Sequence, residues 1–308
     1  MNYATYNIAA VERDTGLSKD VLRMWERRYG FPRPERDGHG ERLYPSAQVD
    51  RLRQIKRLLD QGHRPGKLLA ADPDEFAALV ALAAKRRDAP TSGTAGSGGH
   101  DGEAIDALLA LIRAHDAAGF VRAMQQTLAR NGLSRFVQDT VAPLTHAVGD
   151  AWEAGRIEVY EEHLYTELAK RLLRQAIAAL PAGASEPRVL LTSVPDEQHV
   201  LGLLMVESLL ALDGAECVAL GPQMPLLEIA RAAAAHRAHV VALSFSAAYA
   251  QRQVPAVLAQ LRAQLPAGVE LWVGGAGAAR VTSGDGVRVL PTLADVVGAL
   301  NDWRADRH

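Results

Sequence analysis

From residue 103 to residue 180 apolar side chains recur every three or four positions, in AIDALLALI, FVRAMQQTLA, LSRFVQDTVAPLTHAVGDAW and EEHLYTELAKRLLRQAIAAL. That period predicts four amphipathic helices, broken near His115-Asp116, Asn131-Gly132 and Gly155-Arg156. Four such helices with short connections predict a small bundle. After Pro181-Ala182-Gly183 the period changes. RVLLTSV, AECVAL, HVVALSFS and ELWVGG read as strands, with a shorter VRVL after them. The helical stretches VLGLLMVESLLAL, PLLEIARAAAAH, QVPAVLAQLRAQL and ADVVGALNDW lie between and after the strands. Strands alternating with helices of this length predict a parallel α/β sheet covered on both faces, with ligands beyond the C-terminal strand ends. Before residue 70 the pattern is finer. Ile8-Ala9-Ala10-Val11 opens a short helix, Thr15-Gly16-Leu17-Ser18 is a turn with an N-capping serine, and a second helix runs from about Lys19 to Arg28. A Pro/Gly-punctuated hairpin, PRPERDGHGERLYP, follows. Ser46 then caps a longer helix whose apolar stripe is Val49, Leu52, Ile55 and Leu59. Residues 85–102, KRRDAPTSGTAGSGGHDG, carry no apolar period and read as a flexible linker.

The pattern therefore organises the 308 residues as a head at 1–85, a linker at 86–102, a bundle at 103–182 and an α/β domain at 183–308. A hydrophobic content of 48% excludes a disordered chain. The single cysteine, Cys217, excludes a disulfide scaffold, a four-thiolate cluster and a thiolate-only metal site within one chain. It lies in the apolar AECVAL strand and reads as a buried core residue. The first residues lack the charged and apolar regions of a signal peptide, and no apolar run is long enough to span a membrane, so a reducing cytoplasm is expected. Charge separates the parts. Residues 1–67 hold 14 Lys+Arg and 9 Asp+Glu, a net of +5, against -2 for the whole chain. A basic head on an acidic body points the head toward a polyanion.

In the head, Arg23, Arg27 and Arg28 lie on the second helix, and Arg33, Arg36 and Arg42 follow in the hairpin. Guanidinium groups there suit phosphates and base edges. The run Leu22-Arg23-x-Trp25-Glu26, with Gly30, Pro34, Arg36, Gly40, Arg42 and Tyr44 after it, resembles the winged helix-turn-helix of the MerR family over Tyr6 to about Leu69. The resemblance implies dimeric binding to a double-stranded DNA operator, with Ser18, Lys19, Arg23, Arg27, Arg28, Arg36, Arg42 and Tyr44 as the contact residues. Trp25 reads as core. The family's metal sensors use clustered cysteines, which this chain lacks.

In the body, three marks fall at strand C-termini: Glu197-Gln198-His199-Val200-Leu201-Gly202, then Ser244-Phe245-Ser246 after 41 residues, then Gly274-Gly275 after a further 27. Small residues at two of them are expected to leave room for a bulky group against the backbone. The constellation resembles the Rossmann-like cobalamin-binding domain in which a protein histidine replaces the cofactor's own base, with the pattern Asp-x-His-x-x-Gly, Ser-x-Leu or Ser-x-Ser, and Gly-Gly. The resemblance implies His199 as lower axial ligand to cobalt, with Gly202, Ser244, Ser246, Gly274 and Gly275 along the nucleotide tail. Glu197 stands where most of that family has Asp, and it still offers a carboxylate to the second imidazole nitrogen.

The bundle adds Trp152, followed after nine residues by Glu162-His163. Trp152 ends one helix and Glu162 begins the next across the Gly155 turn, so they converge on one end of the bundle. This spacing resembles the lid of the CarH-type and LitR-type light-responsive regulators, in which Trp covers the upper adenosyl group and Glu contacts it. The light-sensing members carry a histidine immediately after that Trp, which becomes an upper cobalt ligand after photolysis. Here that residue is Glu153. A durable bis-histidine adduct is therefore not expected. Water or a loosely held carboxylate would sit above cobalt, and His146, nearly two turns from Trp152, is a poor substitute.

Taken together, the resemblance implies a non-enzymatic, cobalamin-dependent transcriptional repressor. It would bind adenosylcobalamin, or alternatively methylcobalamin or hydroxocobalamin, and change its homo-oligomeric state (dimer or tetramer) in light. The alternatives are a light-independent corrinoid sensor and, less well supported, a corrinoid methyltransferase or mutase module, for which the chain has no substrate domain.

Overall fold

The computed structural model describes residues 5–79, apart from 39, 61, 62 and 73, and residues 98–307, apart from 182–184 and 285. The chain divides into two compact units, Met1–Gly96 and Ser97–His308.

The first unit is the helix-turn-helix head. Strand β1 (Thr5–Asn7) leads into α1 (Ile8–Thr15), capped by the Asn7 side chain. Helix α2 (Lys19–Tyr29) begins at Ser18, whose hydroxyl accepts the Val21 N–H, and ends at Gly30 in a left-handed conformation. The hairpin is β2 (Glu35–Arg36) against β3 (Arg42–Pro45), and β1 adds to the far side of β3, giving an antiparallel sheet in the order β1-β3-β2. Helix α3 (Ser46–Asp60) and the short α4 (Pro65–Ala70) close the unit. Val49, Leu52, Ile55 and Leu58 of α3 pack against Val11, Leu22 and Trp25. Trp25 is thus core, as expected, and Leu58 joins the stripe that Leu59 only flanks.

The linker expected at 86–102 lies outside the described residues as far as 97. Its last five residues are helical, because α5 runs Gly98–Arg113. Helix α6 (Ala117–Arg135) is started by the Asp116 carboxylate, which accepts the Gly119 N–H at 2.7 Å. Gly132, at φ 73° and ψ 166°, interrupts α6 at the expected break. A π-helical turn (Phe136–Val141) then feeds α7 (Ala142–Glu153), and α8 (Val159–Ala178) follows the Gly155 turn.

Eight elements build the second layer: β4 (Ser185–Thr192), α9 (Leu201–Leu212), β5 (Ala215–Gly221), α10 (Leu226–Ala235), β6 (Val240–Ser244), α11 (Val254–Gln264), β7 (Glu270–Gly274) and β8 (Val287–Leu290). Helix α12 (Leu293–Ala305) ends the fold. The five strands are parallel in the order β5-β4-β6-β7-β8. This is a parallel, doubly covered α/β sheet, as expected. In order along the chain its strands run 2-1-3-4-5, the flavodoxin-like arrangement rather than the order of the dinucleotide fold. Alternating residues serve opposite faces. Leu190, Val241, Leu243, Leu271 and Val273 pack under α10 and α11, while Val189, Leu191, Val240, Ala242 and Trp272 pack under α9 and α12.

Helix α9 explains its own composition. Leu203 and Leu210 face the sheet, whereas Leu201, Leu204, Met205 and Leu209 join the bundle core with Leu168, Leu172 and Leu173 of α8. A helix buried on two sides has little use for polar residues. Bundle and sheet are therefore joined through one shared helix. The crossover from β4 to β5 and back to β6 sets a switch point between the C-terminal ends of β4 and β6, where such sheets bind ligands.

Candidate functional site: an imidazole on a buried carboxylate

Strand β4 ends at Thr192, and the chain turns through Ser193 to Asp196 before α9 begins at Leu201. His199 stands on this turn, at the switch point. Its Nδ1 lies 2.8 Å from Glu197 Oε1, which also accepts the His199 backbone N–H at 2.9 Å. The other oxygen, Oε2, accepts the Ser246 N–H at 2.7 Å and its hydroxyl at 2.9 Å. Glu197 is 1% exposed, while the His199 side chain is 63% exposed. The carboxylate is a buried pedestal and the ring stands above it. With Nδ1–H given to Glu197, the lone pair remains on the outward Nε2. The Glu197 hydrogen bond raises the imidazole pKa above its ordinary value, burial works against this, and the Glu197 and Glu162 charges add to the rise. Burial would raise the Glu197 carboxyl in turn, but hydrogen bonds from His199 and Ser246 hold it below its ordinary value.

Ser193 is a part of the site that the sequence analysis missed. Fully buried, it donates to the Glu197 carbonyl at 2.6 Å and accepts the Gln223 N–H at 2.9 Å. It ties the loop after β5 to the turn that bears His199. The available signal was a pair of hydroxyl residues, Thr192 and Ser193, ending an otherwise apolar strand.

The glycines are sites of close packing between elements. A Cβ on Gly275, where φ is +88°, would meet the Phe245 carbonyl oxygen at 2.3 Å, and one on Gly274 would meet the Leu290 carbonyl oxygen at 2.9 Å. A Cβ on Gly202 would meet Ser244 Oγ at 2.7 Å. The space freed by these glycines is filled by neighbouring protein atoms. Gly275 brings the end of β7 against Phe245, just past β6, Gly274 brings it against Leu290 of β8, and Gly202 brings α9 against Ser244.

The expected lid residues lie on α7 and α8. Trp152, half-buried, packs on the bundle core near the end of α7, and Glu162 lies in the first turns of α8. Glu162 accepts the Thr166 hydroxyl at 2.8 Å on one oxygen, and its other oxygen lies 2.8 Å from His163 Nδ1. Its charge adds to the rise of the His199 imidazole pKa. Cys217 is half-buried rather than buried, and burial pushes its thiol up to about 12. It stays protonated and unreactive.

In the head, Arg27 and Arg28 are exposed in the last turn of α2, with Arg28 over the Tyr29 ring. Arg23 reaches Asp20 at 3.5 Å, and Lys19 pairs with Glu12 at 3.4 Å. Arg36 donates to the Gly40 carbonyl and closes the hairpin. Two expected contact residues need correction. Tyr44 is fully buried, because β3 turns it into the core between α1 and α3, so it offers no surface to DNA. Arg42 is spent on Glu26 of α2 at 2.8 Å, with both side chains 28% exposed. It fastens the hairpin to α2.

Residues 6–68 match the model of the MerR HTH family regulatory proteins, and residues 104–177 and 187–289 match two B12 binding domain models. The HTH-type transcriptional repressor CarH of Myxococcus xanthus is 32% identical over 277 residues, which cover 89% of this chain and 90% of that protein. The chain belongs to the CarH family of HTH-type regulators with B12-binding domains. A second member, the HTH-type transcriptional repressor CarA of the same organism, is 31% identical over 89% of this chain and 88% of its own. The monomethylamine corrinoid protein of Methanosarcina barkeri superposes with a TM-score of 0.53 at 20% identity, covering 66% of this chain and 99% of that one. That likeness gives the bundle-plus-sheet fold alone.

The residues fit a corrinoid in this CarH-family chain. Among the described residues no group of three or more His, Cys, Asp or Glu side chains could hold a bare metal ion. One outward imidazole backed by a carboxylate suits a metal that brings its own equatorial ligands. Among the described residues no helix is long and apolar enough to cross a membrane.

Proposed function

We propose that this chain is a cytoplasmic, adenosylcobalamin-dependent repressor that releases DNA when light removes the upper ligand. The observation that carries the reading is the Glu197–His199 pair at the sheet's switch point, with Glu162 of α8 acting on the same ring. His199 Nε2 would hold cobalt from below, and Glu197 and Ser246 would orient it. Ser244, Gly202, Gly274 and Gly275 would shape the turns along the nucleotide tail. Trp152 would cover the upper group with its indole face, while the Glu162 carboxylate would accept hydrogen bonds from its polar edge. When bound, the cofactor supplies a photolabile cobalt–carbon bond.

The chain's own residues do the rest. Trp152 packs against the bundle core, and that core continues into α9. Loss of the group it covers would therefore disturb the packing of α8 on α9. Arg27, Arg28, Arg23 and the Lys19 end of α2 would grip operator DNA, with a strong dependence on salt. A homo-oligomer presents several heads and gains avidity that separated subunits lose. The repressor names of the CarH and CarA relatives support the direction of control.

A second reading keeps the corrinoid and omits the light. Glu153 favours it, because it stands where the light-sensing resemblance calls for histidine. One experiment separates the two: reconstitution with adenosylcobalamin, then spectra, size-exclusion and operator gel shifts before and after green light. Light-dependent release of DNA is expected. Binding that follows cobalamin but ignores light would select the second reading.

A further inference from the structure

His199 is one of two imidazoles held in the same way. His163 Nδ1 lies 2.8 Å from Glu162 Oε2, the distance that separates His199 Nδ1 from Glu197 Oε1. Each carboxylate is fixed a second time by a hydroxyl, Thr166 for Glu162 and Ser246 for Glu197. Each ring is open to solvent, His163 at 72% and His199 at 63%. A carboxylate on Nδ1 fixes the tautomer and leaves the Nε2 lone pair for a metal.

The other described histidines of this unit lack the arrangement. His115 spends Nε2 on Glu161 at 3.2 Å and Tyr160 at 3.3 Å. The His239 Nδ1 accepts the Arg188 N–H, and this residue precedes β6, at the opposite end of the strands from His199. His236 ends α10 at that same lower end. His146 lies within α7 with neither ring nitrogen on a carboxylate among the described residues. The charge of Glu162, by contrast, acts on His199.

We propose that His163 Nε2 is a second axial ligand, taking the upper position of a cobalamin that carries no alkyl group there. The proposal rests on the reading of His199 as the lower ligand. It replaces the expectation, drawn from Glu153, that only water or a weak carboxylate would sit above cobalt. Glu162 and His163 are adjacent on the first turns of α8, so the imidazole and its pedestal move as one. The step is a substitution. The Nε2 lone pair forms the new bond, a solvent molecule leaves with its own pair, and cobalt(III) keeps its oxidation state. With an alkyl group in place the position is filled, and His163 stays on Glu162 alone.

The test uses full-length protein reconstituted in the dark with hydroxocobalamin and, separately, with methylcobalamin. Wild type with hydroxocobalamin is expected to show a bis-imidazole cobalt(III) spectrum. His163→Ala should convert it to that of a single imidazole with water above, and added imidazole should restore it. Glu162→Gln should speed displacement by cyanide by about 10- to 100-fold. The methylcobalamin spectrum should be the same in wild type and His163→Ala, which shows that the variant is folded and loaded. A single-imidazole spectrum in the wild type, or a bis-imidazole spectrum surviving in His163→Ala, overturns the proposal. Failure of the underlying reading looks different: His199→Ala would then leave the methylcobalamin spectrum unchanged.

Discussion

The Glu197 carboxylate lies buried under the exposed His199 ring, with Oε1 2.8 Å from Nδ1. The two residues are unequal partners. The ring can give up its proton to solvent or its lone pair to a metal, but a carboxylate at 1% exposure is held by the hydrogen bonds that reach it. Among the described residues His199 and Ser246 supply these bonds, so the pedestal depends on the ring it supports.

This pairing predicts a window of pH in the apo-protein. Glu197 is held below its ordinary 4.5, so its contribution to stability is present above 4.5 and lost as pH falls through the lowered value. His199 is raised above its ordinary 6.5, so its contribution is complete below 6.5 and lost as pH rises through the raised value. Both are in force between 4.5 and 6.5. The difference in Tm between wild type and Glu197→Gln should be largest there and shrink on either side. A difference that does not vary with pH would refute the pairing.

The glycines predict a contrast between two equally small changes. Gly275→Ala meets a backbone carbonyl at 2.3 Å, at a φ of +88°, and neither can yield locally. It should destabilise the body by about 2–4 kcal/mol. Gly202→Ala meets only the end of the Ser244 side chain, which can rotate, so its effect should stay within about 1 kcal/mol. Urea unfolding of both variants decides the matter, and equal losses would count against this account of the Gly-Gly turn.

What the sequence made legible was whatever a period or a spacing can carry. The bundle's breaks and the alternation of strands and helices followed from it. Strand β1 went unseen because three residues hold no period, and their pairing with β3 is long-range. Tyr44 and Arg42 were assigned to DNA because charge and family spacing do not say which way a strand faces. Residue 44 of β3 turns inward, and a partner sixteen positions back on α2 takes up Arg42. Gly274 and Gly275 were located at the end of β7, but their close approach to Leu290 and Phe245 was not legible, since backbone packing between neighbouring strands leaves no mark in one sequence.

The head predicts different salt behaviour for two of its arginines. Arg27 is exposed and, among the described residues, unpaired, so Arg27→Ala should weaken operator binding and lower the salt slope by about one unit. Arg42→Ala removes the Glu26 bond instead, a partly buried pair worth about 0.5–1 kcal/mol of head stability. It should weaken binding through a loosened hairpin and leave the slope unchanged. Gel shifts at a series of salt concentrations test both. A one-unit fall in slope for Arg42→Ala would return that residue to the phosphate contacts.

Trp152 carries the most direct claim about which cobalamin is preferred. The indole is half-buried against the bundle core, so truncation to Ala has a structural effect whatever is bound. That part should be modest, about 1–3 kcal/mol, and should weaken all cobalamins alike by loosening the bundle. The lid role adds a second part felt only when a large group stands above cobalt, because then an apolar face loses its cover. Adenosylcobalamin should therefore lose at least about tenfold more affinity than hydroxocobalamin, a differential near 1.4 kcal/mol. Trp152→Phe, which keeps a smaller aromatic face, should fall between. The measurement is equilibrium binding of both cobalamins in the dark, with apo-protein unfolding as the control for packing. Equal losses for the two cofactors would make Trp152 an ordinary core residue and leave Glu162 alone to recognise the upper group.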